Sequence, residues 1–330
     1  MITDTLRPPP LLDLTADAYK DWLHLNIFDH ATGCVGLFNT SLHGSPREAR
    51  SRAMGTALVH DPERGWFGNL EVGALRDANV GATSIALEKV AVATDGGTVL
   101  ASAVLPAAGL HAGITATPRS RAIDIEQPLP FGKGWISWFV VPRLDVRGGL
   151  ALGDRRIDLS RAIAYHDHNW GRWHWGDDVG WEWGACLAAE PAVTIVVSRA
   201  TDRAHGIITG ALLVLEVGAE RRRFPDANFS IRFDGRTDAR PVRLPGALAA
   251  LHQDRISPPL PATILVEADD GIDTATLEFR VRASAQLIAG DPSRRGYGFL
   301  HQLVGGFTAS GRIDGRAWDA EGLGIFEYVD

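Results

Sequence analysis

Long helical periodicity is nearly absent from this chain, and that constrains its fold more than any other feature. Two segments could form helices: residues 15–22, opened by Thr15 as a cap, and the shorter stretch 246–252. Almost everything else consists of short runs rich in Val, Ile, Leu, Thr and Phe, punctuated by Gly, Pro, Asp and Asn. Residues 34–42, 83–93, 192–198, 206–217, 263–268 and 275–281 are the clearest, with some alternation of apolar and polar positions. Many strands without intervening helices give barrels or sandwiches, so the expected class is all-β.

At 330 residues, 45% of them hydrophobic, the chain can close two cores. The natural seam follows the tryptophan-rich segment near Ala189, where Glu190 and Pro191 open a plainer strand region. That places an N-terminal domain over 1–189 and a C-terminal domain over 190–330, with a proline-rich loop at Pro258, Pro259 and Pro261 inside the second.

The charge balance narrows the partners. Forty acidic residues against 33 basic ones give a formal net charge of -7, with no basic run to replace phosphate counterions, so nucleic acid is not expected. Cys34 and Cys186 are too few for a disulfide scaffold or a cysteine-based zinc site. The opening residues 1–10 lack an apolar h-region. The longest apolar stretch, 207–217, contains Gly210 and Glu216 and is too short to span a bilayer. A cytoplasmic protein without stable membrane insertion is the expectation.

Seven of the ten tryptophans fall between Trp135 and Trp183. At their centre runs Tyr165-His166-Asp167-His168-Asn169-Trp170-Gly171, followed by Trp173, His174, Trp175 and then Gly180-Trp181-Glu182-Trp183. If residues 165–170 are extended, Tyr165, Asp167 and Asn169 share one face, and His166, His168 and Trp170 the other. A carboxylate among imidazoles and indoles can be an acid–base centre in an aromatic pocket, where desolvation raises its pKa and a nearby imidazolium lowers it. Asp167 would then be a general acid, with Tyr165 and Asn169 orienting it. Trp138, Trp170, Trp181 and Trp183 would line an apolar cavity and face a cation with their π systems.

Two other accounts fit the same residues. Asp and Asn could satisfy backbone donors in a turn while Trp fills a core. His166 and His168, with His174 and Asp177 or Asp178, also supply enough nitrogen and oxygen donors for a metal, although the carboxylate that would complete a cupin-like set is replaced by Arg172 and Trp173. Elsewhere, Trp22, His24, His30 and His43 are expected at half-buried or rim positions. Gly296, Tyr297, Gly298 and His301 suggest a turn into a strand. Gly322-x-Gly324-x-x-Glu327 is no phosphate loop, because no helix follows. No Gly-x-Ser-x-Gly motif is present, so covalent catalysis has no support.

The central motif, with Gly180-Trp181-Glu182-Trp183, resembles the AttH-like and carotenoid 1,2-hydratase superfamily. Asp21-Trp22 before Gly33, the segment Trp138 to Pro142, and the ending Gly322-Leu323-Gly324-Ile325-Phe326-Glu327-Tyr328 fit the same comparison. The resemblance implies two lipocalin-like β-barrel or β-sandwich domains with a lipophilic pocket at or near their junction. It implies no cofactor and no metal, and a hydrophobic small molecule as substrate. The family includes isoprenoid hydratases, a fungal hydratase of a prenylated flavonoid and decalin-forming Diels–Alderases. Tyr165, Asp167 and Asn169 match its Tyr-x-Asp-x-Asn pattern, and Trp138 matches an upstream Trp. No His accompanies Trp138, a departure from the carotenoid hydratases; His166 or His168 is the candidate replacement. Trp173, Trp175 and Glu182 join the substrate-contact candidates.

Three functions follow as expectations. An alkene hydratase or protonation-initiated cyclase would use Asp167 as acid, with Tyr165, His168 or Asn169 holding the capturing water. A pericyclase would mainly orient a polyene. A lipocalin-like carrier would bind without chemistry.

Overall fold

The computed structural model describes residues 4–7, 16–45, 48–124, 128–238, 241–244, 260–290 and 296–329. The described residues form strands, turns and short 3-10 segments, an all-β architecture. The chain divides into two compact units. One comprises Met1–Asp178 with Ala289–Gly298, the other Val179–Ile288 with Phe299–Asp330. Each unit has its own curled sheet, of 14 strands in the first case and ten in the second among the described residues.

In the first sheet the strand Ile163–Arg172, which carries the central motif, is paired on both edges. Its neighbours are Tyr19–Asp29 on one side and Gly134–Leu152 on the other. Beyond Tyr19–Asp29 come Cys34–His43, Arg52–Asp61 and Gly65–Ala74, joined as successive hairpins. Turn chemistry explains the first of these. The Asp29 carboxylate accepts from Thr32 Oγ1 at 2.5 Å, and Gly33 takes φ +77°, where a side chain would be strained.

Burial separates central strands from ordinary ones. Thr98–Leu105 alternates buried and exposed positions, as a strand with one wet face should. Ile163–Arg172 is buried at every position but the last, so both of its faces are covered. The core of the first unit lies against one of those faces. Tyr19, Leu23, Leu25, Ile27, Phe38, Leu42, Phe139, Val141 and Trp170 belong to it, whereas Trp22, Trp138, Val140 and Tyr165 do not. The second unit has a separate core that includes Cys186, Ile195, Val197, Phe279 and Phe326.

Several expectations are corrected. Residues 16–22 are not a helix: a 3-10 turn at Ala16–Ala18 leads directly into the strand Tyr19–Asp29. The period there is two, with Tyr19, Asp21 and Leu23 facing the core and Lys20, Trp22 and His24 facing away. Residues 83–93 are two strands, Ser84–Ala86 and Val90–Asp95, joined by a turn in which Leu87 N–H donates to Val90 O. Glu190 and Pro191 lie inside a hairpin of the second sheet, because Gly180–Ala188 pairs with Val193–Thr201. The boundary therefore falls at Asp178/Val179 rather than at 189/190. The expected helix at 246–252, Pro258 and Pro259 lie outside the described residues. Among the described residues no helix is long and apolar enough to cross a membrane.

Candidate active site

Antiparallel register sets out the site as a grid. Directly opposed residues on neighbouring strands put their side chains on the same face, with Cβ atoms about 5 Å apart. One row across four strands is Asn39, His24, Asp167 and Val140. The next is Ser41, Trp22, Asn169 and Trp138, and on the other side Leu37 and Asn26 lead to Tyr165. This is the face turned away from the core of the first unit.

Asp167 is at the centre and only 4% exposed. Tyr165 Oη donates to its Oδ2 at 2.8 Å, and Asn169 Nδ2 donates to its Oδ1 at 2.6 Å. The carboxyl is held at both oxygens by residues two places away along its own strand, the positions that share its face. A tyrosine hydroxyl can give or accept, so the Tyr165 contact serves the carboxylate and the carboxylic acid alike.

Beside Asp167, His24 is buried and held between two amides. Its Nε2 meets Asn26 Oδ1 at 2.8 Å, and Asn39 Nδ2 lies 3.3 Å from Nδ1. That pattern fixes the tautomer with the proton on Nε2. Burial is the main cause that lowers the His24 pKa to about 4, so the ring is neutral at physiological pH. An imidazole of such lowered basicity, with its Nδ1 lone pair taken by Asn39, is a weak competitor for a proton on the neighbouring carboxyl.

Aromatic rings close one end of the face. Trp22 meets Trp173 edge-on at 5.4 Å, and Trp173 meets Phe131 at 5.2 Å and Trp175 at 6.1 Å. The fully buried Lys20 ammonium sits 4.9 Å from the Trp173 ring and donates to the Trp173 carbonyl. The indole Nε1 of Trp138 is buried on the Asp167 face without a partner among the described residues. The strand ends where Gly171 passes so close to its neighbour that a Cβ would lie 2.2 Å from Trp135 O.

The opposite face carries a separate polar cluster. His168 Nδ1 donates to Asp4 Oδ1 at 2.5 Å and Nε2 to Asp21 Oδ1 at 2.7 Å. His166 Nδ1 donates to the His24 carbonyl and Nε2 to Asp4 Oδ2, both at 2.8 Å. All four nitrogens thus face oxygens that accept. Burial opposes the His168 charge, but the hydrogen bonds and charges of Asp21 and Asp4 outweigh it and lift its pKa to about 9. Burial likewise opposes the Asp4 charge, yet the two histidines hold that carboxyl far below the usual range. Asp21 Oδ2 also accepts from Arg7 N–H and Tyr19 Oη, and the Arg7 guanidinium lies 3.7 Å from the centre of the Trp170 ring. Residues 4–7 are thereby fastened to the core face of the first sheet.

Three solved structures are similar to this chain along most of its length. A putative AttH from Nitrosomonas europaea matches with a TM-score of 0.67 at 14% identity, covering 98% of each chain. Kievitone hydratase from Nectria haematococca matches at 0.62 and 13%, over 94% of this chain and 88% of that one. CghA, also solved with Sch210972, matches at 0.63 and 13%, over 98% and 94%. The chain shares its fold with these three proteins. No protein-family model and no curated protein matches the chain in sequence.

On this shared fold the candidate residues separate into groups. Tyr165, Asp167, Asn169 and Trp138 come together on one face, with Trp173 and Trp175 at its aromatic end. His166, His168 and Trp170 are on the opposite face, with the carboxylates and Arg7. Trp181, Glu182 and Trp183 belong to the second unit. There Glu182 faces inward and pairs with Arg199 through Nε at 2.6 Å and with His205 Nδ1 at 2.9 Å; burial opposes its charge, but these partners lower its carboxyl. Asn26, Asn39, Asp4 and Arg7 were not among the sequence candidates, and His24 was expected only at a half-buried or rim position. His24 and His43 are buried rather than at a rim. The available signal was the strand 19–29 itself, whose outward positions carry Lys20, Trp22, His24 and Asn26 instead of ordinary solvent-facing residues.

Proposed function

We propose that this protein is a cofactor-independent enzyme that protonates a carbon–carbon double bond of an apolar isoprenoid or polyene, with Asp167 as the general acid. Water would then capture the tertiary cation and return a proton to the Asp167 carboxylate, giving an alcohol, or an internal double bond would capture it and the new cation would lose a proton to that carboxylate, giving a cyclic alkene. The observation that carries this reading is Asp167 itself: a buried carboxyl, fixed at both oxygens, beside a neutral imidazole and between indoles on one sheet face. Protonating an alkene needs a positioned acid whose proton is not claimed by a stronger base. The resulting cation needs π faces and little water, which Trp138 and Trp22 can supply on the adjoining row. The Trp138 N–H, without a partner among the described residues, would hold a capturing water or a substrate oxygen. A hydratase among the proteins that share the fold supports a reaction of this kind.

The test is to incubate the protein with a panel of acyclic isoprenoid alkenes in deuterium oxide and follow products by mass spectrometry. One deuterium on carbon in a hydrated or cyclised product is expected. Products bearing no carbon-bound deuterium would point to a pericyclic reaction. Binding without turnover would leave a carrier.

A further inference from the structure

We infer that Asp4 is a positioning residue for Asp167: from the core side of the first sheet its carboxyl group clamps His166 and His168, and so pins the strand that carries the acid. This role rests on the reading of Asp167 as the proton donor. Both faces of residues 165–170 are polar and aromatic, so burial of apolar side chains does not choose between them. A slip of one residue would turn Asp167 to the core and bring His166 and His168 to the other face. Strand pairing supplies only part of the constraint. With Tyr19–Asp29 the register runs unbroken, from Tyr19 opposite Arg172 to Phe28 opposite Ile163. With Gly134–Leu152 it shifts between Val141 and Leu144, beside Tyr165. A bulge of this kind re-aims the side chains around it.

Asp4 supplies the rest. In an extended strand His166 and His168 stand about 7 Å apart on one face, with Asp167 between them on the other. The single Asp4 carboxyl group reaches both rings: Oδ2 meets His166 Nε2 at 2.8 Å and Oδ1 meets His168 Nδ1 at 2.5 Å. Each ring is fixed at its second nitrogen as well, His166 by the carbonyl of His24 and His168 by Asp21, both on the neighbouring strand. His24 is the residue directly opposite Asp167. Asp4 is itself anchored. Its carbonyl accepts from Thr94 Oγ1 at 3.0 Å, Leu6 N–H donates to Ala82 O, and the Leu6 side chain belongs to the core. One side chain thereby ties the strand Val90–Asp95, through two rings, to the backbone on either side of Asp167.

Stability alone does not call for such a cluster, since apolar side chains of similar volume fill a core without the desolvation cost. What directional hydrogen bonds add is a fixed distance. An acid needs one, because a misplacement of about 1 Å can cost about 100-fold in rate.

The experiment compares full-length wild type with two variants. Asp4→Asn keeps the size but offers one oxygen where two rings need one each. The triple variant Asp4→Leu, His166→Leu, His168→Leu fills the same space with apolar groups. Two readouts are taken per folded molecule. One is kcat and KM for an alkene that the wild type converts in deuterium oxide. The other is the infrared band of the Asp167 carboxyl, isolated by subtracting the spectrum of the same protein carrying Asp167→Asn. In both variants kcat should fall at least about tenfold with KM unchanged, and the Asp167 band should shift and broaden. The triple variant should do so while keeping wild-type stability to urea, which separates positioning from support of the fold; Asp4→Asn carries the test if the triple variant does not fold. Wild-type kcat in a folded variant, a raised KM with kcat unchanged, or an Asp167 band identical to that of the wild type would each overturn the inference. If the wild type turns over no alkene, the acid reading fails by itself, and the infrared band alone decides whether Asp4 holds Asp167 in place.

Discussion

Raising the pH should loosen the first unit, and His168 sets both the sign and the size of the effect. Its imidazole is buried, with both ring nitrogens on carboxylates, and its pKa rises from 6.5 to about 9. Below pH 6.5 the native and unfolded chains both hold the proton, and the stabilising contribution is complete. Between 6.5 and about 9 only the native chain holds it, so the native state binds more protons and stability falls as pH rises. At about 1.4 kcal/mol for each pH unit, the interval is worth about 3 kcal/mol. Solvent screening removes little of this, because His168 is 1% exposed. The assay is urea denaturation at half-unit steps from pH 6 to 9.5, for wild type and His168→Gln. The wild type should lose about 3 kcal/mol more than the variant over that range. Asp21→Asn, which keeps the imidazole and removes one carboxylate, should shift the loss to lower pH. If wild type and His168→Gln lose stability in parallel, the charged cluster does not fasten this sheet and the reasoning fails.

Three further outcomes follow from named contacts. Tyr165→Phe keeps the ring but removes the donor to Asp167 Oδ2; stability should fall by about 1 kcal/mol, while turnover in the deuterium assay falls by about 100-fold. Glu182→Leu leaves the half-buried Arg199 and His205 without their carboxylate, so chemical denaturation should show a loss of about 1.5–3 kcal/mol, with turnover per folded molecule unchanged. Gly171→Ala places a Cβ 2.2 Å from Trp135 O and 2.9 Å from Ile136 Cα; the strands must part, and the melting curve should report about 1–3 kcal/mol of destabilisation.

The two-face pattern of 165–170 was legible because a strand has a period of two and each alternate position carries one kind of chemistry. Which face would lie against the core was not legible, because both are polar and aromatic and hydrophobicity could not rank them. The structure puts the histidines on the core face since Asp4 and Asp21 arrive there to balance them. Asp4 could not have been foreseen: it lies 162 residues from His166, in a segment whose composition suggests only a tail. His24 had a local signal, its alternation with Lys20, Trp22 and Asn26. Its place beside Asp167 depends on a strand pairing that no local pattern specifies. The helix expected at 15–22 failed for a related reason, since a short segment with a capping residue satisfies helical and extended patterns equally until tertiary pairing decides.

The account's central claim is that the Asp167 carboxyl delivers the proton, and Asp167→Asn tests it most directly. Asparagine keeps the shape and can accept from Asn169 while donating to the Tyr165 oxygen, so the strand should remain intact by circular dichroism. With an alkene that the wild type converts in deuterium oxide, the variant should bind it with unchanged affinity and place no deuterium on carbon. Incorporation by a folded Asp167→Asn protein at the wild-type rate would contradict the claim.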